Sequence, residues 1–147
     1  MIDEDLPTRA EEMFCFAVYT ASHAVNRAYT PHLKALGLTY PQYITLTLLW
    51  EKDGQRINDL ARLMRMETNT VTPLVKRLEA LGHVTRTPSK TDRRAVTIHL
   101  TPSGRALRKA APSITRCMID GTGLSLDELT RLQTLLFKLR DGLQNEG

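Results

Sequence analysis

Two apolar patterns, each with the period of an α-helix, lie next to each other between residues 57 and 81. In both, apolar side chains recur at steps of three and four, which places them on one face of a helix. Gly82 follows the second pattern as a helix stop. The two stripes consist of Ile57, Leu60, Ala61 and Met64, and of Val71, Leu74, Val75, Leu78 and Leu81. Two short amphipathic helices so close together favour a helix-turn-helix.

The face opposite the second stripe is polar and basic. Amides, hydroxyls and cations suit base edges and phosphates in the major groove of DNA. Pro73 lies within this segment and has no amide hydrogen, so the helix either begins near residues 70–72 or carries a local distortion. The candidate DNA-binding residues on this helix are Thr68, Asn69, Thr70, Thr72, Lys76 and Arg77.

Two β-rich runs, residues 83–88 and 95–101, follow this helix and are joined by residues 89–94. They predict a β-hairpin whose tip carries Lys90, Arg93 and Arg94, within reach of backbone phosphates or an adjacent minor groove. The predicted fold is therefore mainly α-helical with a small β-wing, a winged helix-turn-helix.

Charge is distributed unevenly along the chain. The net charge of all 147 residues is only +4, but residues 54–110 hold 12 basic and 4 acidic residues. The remainder holds 8 basic and 12 acidic residues. Positive charge is thus concentrated where DNA contact is predicted, as electrostatic binding to phosphates requires.

Length and composition indicate a single domain of 147 residues. No apolar run approaches the roughly 20 residues that span a bilayer, and the acidic N-terminus does not resemble a signal peptide. We therefore expect a cytoplasmic protein without a membrane partner, whose two cysteines are thiols. The histidines and cysteines lack metal-ligand spacing, so no metal and no cofactor is expected.

The N-terminal part contains two helix-start signals. Thr8 and Glu11 predict a capping box for a first helix, which is expected to end before Pro31. Thr39 and Gln42 predict a second capping box, at the start of a helix that leads towards the DNA-binding unit.

Helix signals also follow the wing. Thr101 and Pro102 suit the start of a long helix reaching about residue 119, kinked at Pro112. Ser125 and Glu128 predict a capping box for a final helix.

The final helix carries a leucine seam, spaced alternately by three and four residues, that is typical of helix association. It favours a homodimer, because a helix-turn-helix usually reads two half-sites; packing against the chain's own body is the alternative. We assign residues 1–36 and 102–147 to dimerisation helices and residues 40–101 to the DNA-binding lobe. The seam consists of Leu129, Leu132, Leu136, Leu139 and Leu143.

This order of helices and wing resembles the MarR family of bacterial transcriptional regulators over nearly the whole chain. Asp92-Arg93-Arg94 followed by AVTIHLTPSG resembles that family's D-x-R…L-T-x-x-G signature. The resemblance implies that Asp92 braces Arg94 and that a wing arginine enters the minor groove. Four segments resemble the organic hydroperoxide resistance (OhrR) branch: FCFAVYTAS, NRAYTPHLKALGLTYPQY, TNTVTPLVKRLEALG and LTPSGRALR.

Cys15 lies in the first predicted helix between Phe14 and Phe16, and Ser22 and Tyr29 follow it at steps of seven residues. On the residues alone, this cysteine is either a small buried hydrophobe or a thiol whose charged form is stabilised by hydrogen bonds. The resemblance implies the second interpretation, because Cys15 occupies the position of the branch's peroxide-sensing cysteine.

The resemblance also implies partners for the sensing thiol. Tyr29 and Tyr40 would hydrogen-bond Cys15 across the dimer interface, and Tyr19 is a further candidate from the same helix. Cys117 resembles the resolving cysteine of the two-cysteine subgroup, which bridges to the partner subunit. The alternative is an inert Cys117, with a small-molecule thiol capping Cys15 instead.

The sequence therefore predicts a dimeric repressor that binds double-stranded operator DNA and releases it when an organic hydroperoxide oxidises Cys15. One alternative is a MarR-type repressor that is released by a small aromatic ligand and has structural cysteines. A winged helix that binds protein is another, distinguished by salt-insensitive binding. An enzyme such as a thiol peroxidase is not expected, because no basic side chain lies near Cys15 on its helix and no C-x-x-C pair occurs.

Overall fold

The computed structural model describes residues 6–92 and 95–144. The chain divides into two compact units, Met1–Ala111 and Pro112–Gly147. The first unit holds helices α1 (Phe14–Lys34), α2 (Tyr40–Glu51), α3 (Ile57–Leu63), α4 (Thr68–Ala80) and α5 (Pro102–Ala106), with strands β1 (Gln55–Arg56), β2 (Val84–Pro88) and β3 (Val96–Leu100). Helix α6 (Ala111–Thr122) begins at the division, and α7 (Leu126–Gln144) lies in the second unit.

Helix α1 differs from its prediction at both ends. Residues Ala10–Glu12 form a separate 3₁₀ turn, and the extended backbone of Met13 separates it from α1, so the predicted capping box at Thr8 and Glu11 is wrong. Residues 6–13 are exposed, so a longer helix would gain no burial there. Helix α1 also runs through Pro31, because this position is exposed and water can reach the carbonyl that the proline leaves unbonded.

Helix α2 begins at the predicted capping box. The amide of Gln42 donates to the Thr39 hydroxyl over 3.4 Å, and the amide of Thr39 donates to the Gln42 side chain over 3.0 Å. This reciprocal pair satisfies two helix-terminal donors. The prediction for this helix start is confirmed.

The core of the first unit lies where α2, α3 and α4 pack against one another and against the small sheet. The two predicted apolar stripes supply much of it, while Met64 and Leu74 are only partly buried. Leu81 is 46% exposed, so its predicted place in the stripe is wrong: it is the C-cap residue, where the helix ends. The most deeply buried apolar side chains are Leu33, Leu46, Leu49, Leu60, Val71, Val75, Leu78, Val84 and Ile98.

The sheet is antiparallel, with strand order β1–β3–β2. The hairpin β2–β3 was predicted to within one residue at each end, with Val84 opposite Leu100 and Pro88 opposite Val96. Strand β1 was not predicted, because its two residues are too few to show alternation and its partner is about 40 residues away along the chain.

Hydrogen bonds and an ion pair made by the side chains of Trp50 and Asp53 fix α5 beside α2 and the sheet. The Trp50 indole donates to the Gly104 carbonyl over 2.9 Å, and the Asp53 carboxylate accepts from the Leu100 amide over 2.8 Å and pairs with Arg105 over 3.1 Å. Gly104 lies so close to β2 that an added Cβ would be 2.1 Å from the His83 carbonyl oxygen. The start of α5 is therefore held at a fixed place on the DNA-binding part.

The segment after the wing begins as predicted, with Thr101 capping the amide of Gly104, but it is not one long helix. Helix α5 ends at Ala106, and a 3₁₀ turn over Leu107–Ala110 precedes α6. This turn ends two residues before Pro112, which cannot donate to the carbonyl four residues earlier. The prediction of one long helix is therefore wrong, and the kink at Pro112 stays a prediction.

Helix α7 begins at the predicted capping box, in which Ser125 and Glu128 exchange two hydrogen bonds of 3.0 and 3.1 Å. Hydrogen bonds that the Glu128 carboxyl accepts from Ser125, first from its backbone amide and then from its side chain, lower the pKa of this carboxyl. Within residues 6–92 and 95–144, no helix is long and apolar enough to cross a membrane.

Candidate DNA interface and thiol sites

Helix α4 presents the predicted polar face to solvent. It begins at Thr68, so a start near residues 70–72 is wrong, and Pro73 lies within the helix. Both Pro73 and Asn69 are exposed, so water can bond the carbonyl that Pro73 leaves free. The exposed predicted residues on this helix are Thr68, Asn69, Thr70, Lys76 and Arg77, and Thr72 is partly buried.

The first turn of α4 is held by two threonine hydroxyls. Thr68 donates to the side-chain oxygen of Asn58 on α3 over 3.1 Å. Thr72 donates to the Thr68 carbonyl over 2.9 Å. These bonds fix the side chains that begin the recognition helix, as a surface that reads base edges requires.

The wing projects Lys90 into solvent at its tip. The tip is closed by two backbone bonds: the Ser89 amide donates to the Ala95 carbonyl over 2.7 Å, and the Ala95 amide donates to the Asp92 carbonyl over 3.0 Å. Arg93 and Arg94 lie outside the described residues, so the bracing of Arg94 by Asp92 stays a prediction.

A groove with a volume of about 390 Å³ lies between α4 and the wing. It is lined by three predicted DNA-binding residues, Thr68, Thr72 and Lys76, and by Asp92 at the wing. Sequence reasoning missed the other polar side chains of the groove, because they come from segments assigned to no contact. These are Arg56, Asn58 and Arg86.

Arg86 joins the wing to the recognition helix. Its guanidinium pairs with the Glu79 carboxylate over 3.1 Å, and its amide donates to the other carboxylate oxygen over 3.2 Å. Because this carboxylate offsets its charge, Arg86 is better suited to holding β2 against α4 than to attracting an anion.

Cys15 is exposed in this single chain, and so are its aromatic neighbours Phe14, Phe16 and Tyr19. The alternative that Cys15 is a small buried apolar residue therefore does not hold within one chain. Tyr19 stacks edge-on against His23, with ring centroids 4.5 Å apart. This end of α1 is an apolar surface with a thiol in its midst.

Tyr29 and Tyr40 are brought together at the other end of α1. Their ring centroids are 4.6 Å apart, both rings are partly buried, and Tyr43 lies 6.0 Å from Tyr29. Burial raises the pKa of the Tyr29 phenol, and burial followed by the charges of Tyr29 and Tyr43 raises the pKa of Tyr40. Both phenols thus remain neutral hydrogen-bond donors at physiological pH.

Helix geometry separates these tyrosines from Cys15 of the same chain. Tyr29 lies fourteen positions after Cys15 within the continuous helix α1. At 1.5 Å per residue this is roughly 21 Å, far beyond a hydrogen bond. A single chain therefore does not unite the predicted thiol with Tyr29.

The second unit carries Cys117 on α6 as an exposed free thiol. Helix α7 has exposed apolar side chains, of which Leu132, Leu136 and Leu143 belong to the predicted seam. Leu129 and Leu139 are partly exposed. The described part of the chain holds no cluster of three or more histidine, cysteine or carboxylate side chains that could bind a metal.

A two-stranded wing beside an exposed, basic helix is typical of winged-helix transcriptional regulators. Residues 27–110 match the family model described as transcriptional regulator SarA/Rot. The chain is 41% identical over 139 residues to the HTH-type transcriptional regulator TtmR of Methylorubrum extorquens, covering 95% of this chain and 71% of TtmR. It is 33% identical to the organic hydroperoxide resistance transcriptional regulator of Bacillus subtilis, covering 95% of both.

Solved structures of AbfR agree with these matches. Reduced AbfR bound to DNA is 30% identical, with a TM-score of 0.76 and coverage of 90% of both chains. The disulfide form of AbfR is 31% identical, with a TM-score of 0.63, and covers 90% of this chain and 88% of AbfR. The chain belongs to the MarR/SarA-type family of DNA-binding transcriptional regulators, and these relatives are regulators rather than enzymes.

Proposed function

We propose that this regulator is a homodimeric repressor that senses organic hydroperoxides by oxidation of Cys15 and then releases operator DNA. Two observations carry the proposal: an exposed thiol lies among aromatic side chains at one end of α1, and Tyr29 of α1 contacts Tyr40 of α2 at its other end. The similarity to the hydroperoxide resistance regulator of Bacillus subtilis and to the reduced and disulfide forms of AbfR supports it.

A second copy of the chain would explain the exposed apolar helices. A monomeric soluble protein rarely leaves contiguous large apolar patches in water. Here both α1 and α7 do so, the first through Phe14, Phe16 and Val18, the second through its leucines and Phe137. Association of two chains through these helices would bury both surfaces and present two recognition helices to two half-sites.

In such a dimer, the tyrosine pair of one subunit would receive Cys15 of the other. Neutral phenols that donate hydrogen bonds to sulfur stabilise the thiolate over the thiol. The raised pKa values of Tyr29 and Tyr40 keep these donors protonated. The aromatic side chains beside Cys15 supply an apolar surface for the alkyl group of the peroxide. Tyr19, one helical turn from Cys15, is the third proposed partner of the thiol.

Oxidation of Cys15 and formation of the disulfide are two successive steps. The Cys15 thiolate attacks one peroxide oxygen, so that an S–O bond forms, the O–O bond breaks, and the alcohol leaves after taking a proton. The thiol of Cys117 from the partner subunit then attacks the sulfenic acid, which forms a disulfide and releases water. If Cys117 is inert, a small-molecule thiol performs the second step and caps Cys15.

Disulfide formation would move the two DNA-binding lobes of the dimer relative to each other. Half-sites on DNA lie at a fixed spacing of about one helical turn. Since binding depends on many simultaneous phosphate and base contacts, a displacement of a few ångströms at one half-site removes several of them. The predicted contacts of α4 and of the wing residues Lys90, Arg93 and Arg94, the last of them braced by Asp92, would be lost together.

The test is binding of the reduced protein to its own upstream DNA before and after one equivalent of cumene hydroperoxide. We expect wild type to lose binding and to regain it with dithiothreitol, while Cys15→Ser keeps binding throughout. Release of DNA by peroxide-treated Cys15→Ser would contradict the proposal. Wild-type binding that survives the peroxide both alone and with an added small-molecule thiol would instead favour the alternative regulator that responds to a small aromatic ligand.

Cys117→Ser separates the two routes for the second step. With Cys117 as the resolving thiol, wild type shows a disulfide-linked dimer on a non-reducing gel and Cys117→Ser does not. If a small-molecule thiol resolves Cys15, both proteins release DNA only when that thiol is added.

A further inference from the structure

We propose that Arg56 is a phosphate-binding residue, which holds one strand of the DNA backbone in the groove between the recognition helix and the wing. This inference rests on the chain's DNA binding and is independent of peroxide sensing. It assigns a contact to the short strand β1, a segment outside the helix-turn-helix and the wing tip.

Arg56 lies beside the groove between the recognition helix and the wing. Arg56 is the last residue of β1, where it pairs in register with Thr97 at the base of the wing, and it directly precedes α3. Its exposed side chain lines the same groove as Thr68 and Lys76. The groove thus has Arg56 at the strand and Lys76 on the helix, the arrangement by which two cations flank an anionic backbone.

The two arginines of the groove differ in how their charge is balanced. The groove's other arginine, Arg86, is offset by its ion pair with Glu79. In the part of the chain that the structure describes, no carboxylate forms an ion pair with Arg56, and its side chain makes no hydrogen bond. Asp92 is the acidic side chain that lines the groove, and it sits on the wing side. Arg56 therefore keeps its full charge and all its donors for a ligand.

The side chain of Arg56 contributes little to the stability of the fold. Arg56 occupies the N-cap position of α3, but its side chain makes no capping hydrogen bond. A flexible cation without an intramolecular partner contributes little to stability when exposed. A guanidinium at this place is suited to bidentate binding of a phosphate.

The experiment compares Arg56→Ala, Arg56→Lys and a matched control, Lys109→Ala, in the reduced protein without peroxide. Lys109 is exposed, lies in the 3₁₀ turn after α5, and does not line the groove. Affinity for the protein's own upstream DNA and for an unrelated duplex of equal length is measured by fluorescence anisotropy over a series of salt concentrations. Thermal melting of each variant reports its folding.

We expect Arg56→Ala to bind both duplexes roughly tenfold more weakly. The slope of log affinity against log salt should fall by about 1 for each subunit bound. Arg56→Lys should restore most of the slope, Lys109→Ala should match wild type, and all melting temperatures should agree within a few degrees.

Two results would overturn the inference: an Arg56→Ala protein that is indistinguishable from Lys109→Ala, or one that loses affinity only for the specific duplex with an unchanged salt slope. The second result would indicate a base contact. Failure of wild type to bind either duplex would instead contradict DNA binding itself.

Discussion

Helices α4 and α7 both carry apolar residues at helical spacing, yet they use them differently. The stripe of α4 is buried inside its own lobe, where Val71, Val75 and Leu78 have no exposed surface. The leucines of α7 remain in contact with solvent, and Leu135 is 63% exposed. A helix of either kind shows the same period in sequence, so periodicity identifies an apolar face without identifying what covers it.

The same contrast separates the two candidate sites. The DNA surface is assembled within one chain, since α3, α4 and the hairpin hold its side chains through bonds such as Thr68–Asn58 and Arg86–Glu79. The thiol site is divided, with Cys15 and Tyr29 at opposite ends of a continuous helix. Folding of one chain therefore completes the first site, whereas the proposed thiol site would need a partner chain.

The largest expected effect concerns the surface of α7. Leu136→Glu should weaken homodimerisation at least about a hundredfold, because each subunit loses apolar burial and places an unpaired carboxylate in the interface. Sedimentation equilibrium measures this change. Gln133→Glu, an exposed position on the same helix outside the seam, is the matched control and should leave association unchanged. Equal dimerisation of both variants would show that this seam is not the interface.

In α4, a leucine should contribute to the free energy of unfolding, because it is buried within its own lobe. Leu78→Ala is expected to lower the free energy of unfolding by about 3 kcal/mol, since it leaves a cavity at a site with no exposed surface. Urea unfolding measures the loss, with Leu135→Ala on α7 as the exposed control. A similar loss in the two variants at a concentration where the protein is monomeric would remove the distinction between the two helices.

The tyrosine pair should affect the rate of sensing more than stability. Tyr40→Phe removes one phenol donor, and we expect Cys15 oxidation by cumene hydroperoxide to slow roughly tenfold. The rate is followed in rapid-mixing experiments by loss of free thiol. Tyr19→Phe, one turn from Cys15 on the exposed end of α1, tests whether the effect belongs to any neighbouring phenol. An unchanged rate in Tyr40→Phe would contradict its role at the thiol.

The smallest expected effect is alkaline destabilisation. Burial raises the pKa of Tyr29 and Tyr40 above the ordinary value of 10.0, so the folded state retains phenol protons that the unfolded chain releases. These two tyrosines therefore leave the free energy of unfolding unchanged below pH 10, and they lower it as the pH rises further. Urea unfolding between about pH 8 and pH 11 should show a shallower fall in Tyr40→Phe than in wild type. An equal fall would mean that Tyr40 is not responsible.

Local signals in the sequence predicted local structure well. The capping boxes at Thr39 and Ser125 involve residues only three positions apart, so each is complete within the segment that shows it. The hairpin was visible for the same reason. The helix boundaries expected near Pro31 and Pro73 were wrong, because both prolines lie at exposed helical positions where solvent satisfies the carbonyl that each leaves unbonded.

Features that depend on distant parts of the chain were not predictable. Strand β1 exists because β3 pairs with it, and that pairing places Arg56 opposite Thr97 at the base of the wing. The pairing of Arg86 with Glu79 likewise joins two elements whose contact no spacing rule indicates. The positions of Cys15 and Tyr29 on one helix were visible, but only a continuous helix through residue 34 establishes that they lie about 21 Å apart.

The central claim, that the thiol site is completed by a second subunit, is tested most directly with mixed dimers purified through two different tags. In a dimer of Cys15→Ser with Tyr29→Phe, the remaining Cys15 faces an intact Tyr29 of the other subunit. In a dimer of wild type with the double variant Cys15→Ser/Tyr29→Phe, it faces phenylalanine. We predict that cumene hydroperoxide oxidises the first dimer at the rate of a control dimer of wild type with Cys15→Ser, and the second roughly tenfold more slowly. The opposite order would show that Cys15 and Tyr29 act within one chain and would contradict the account.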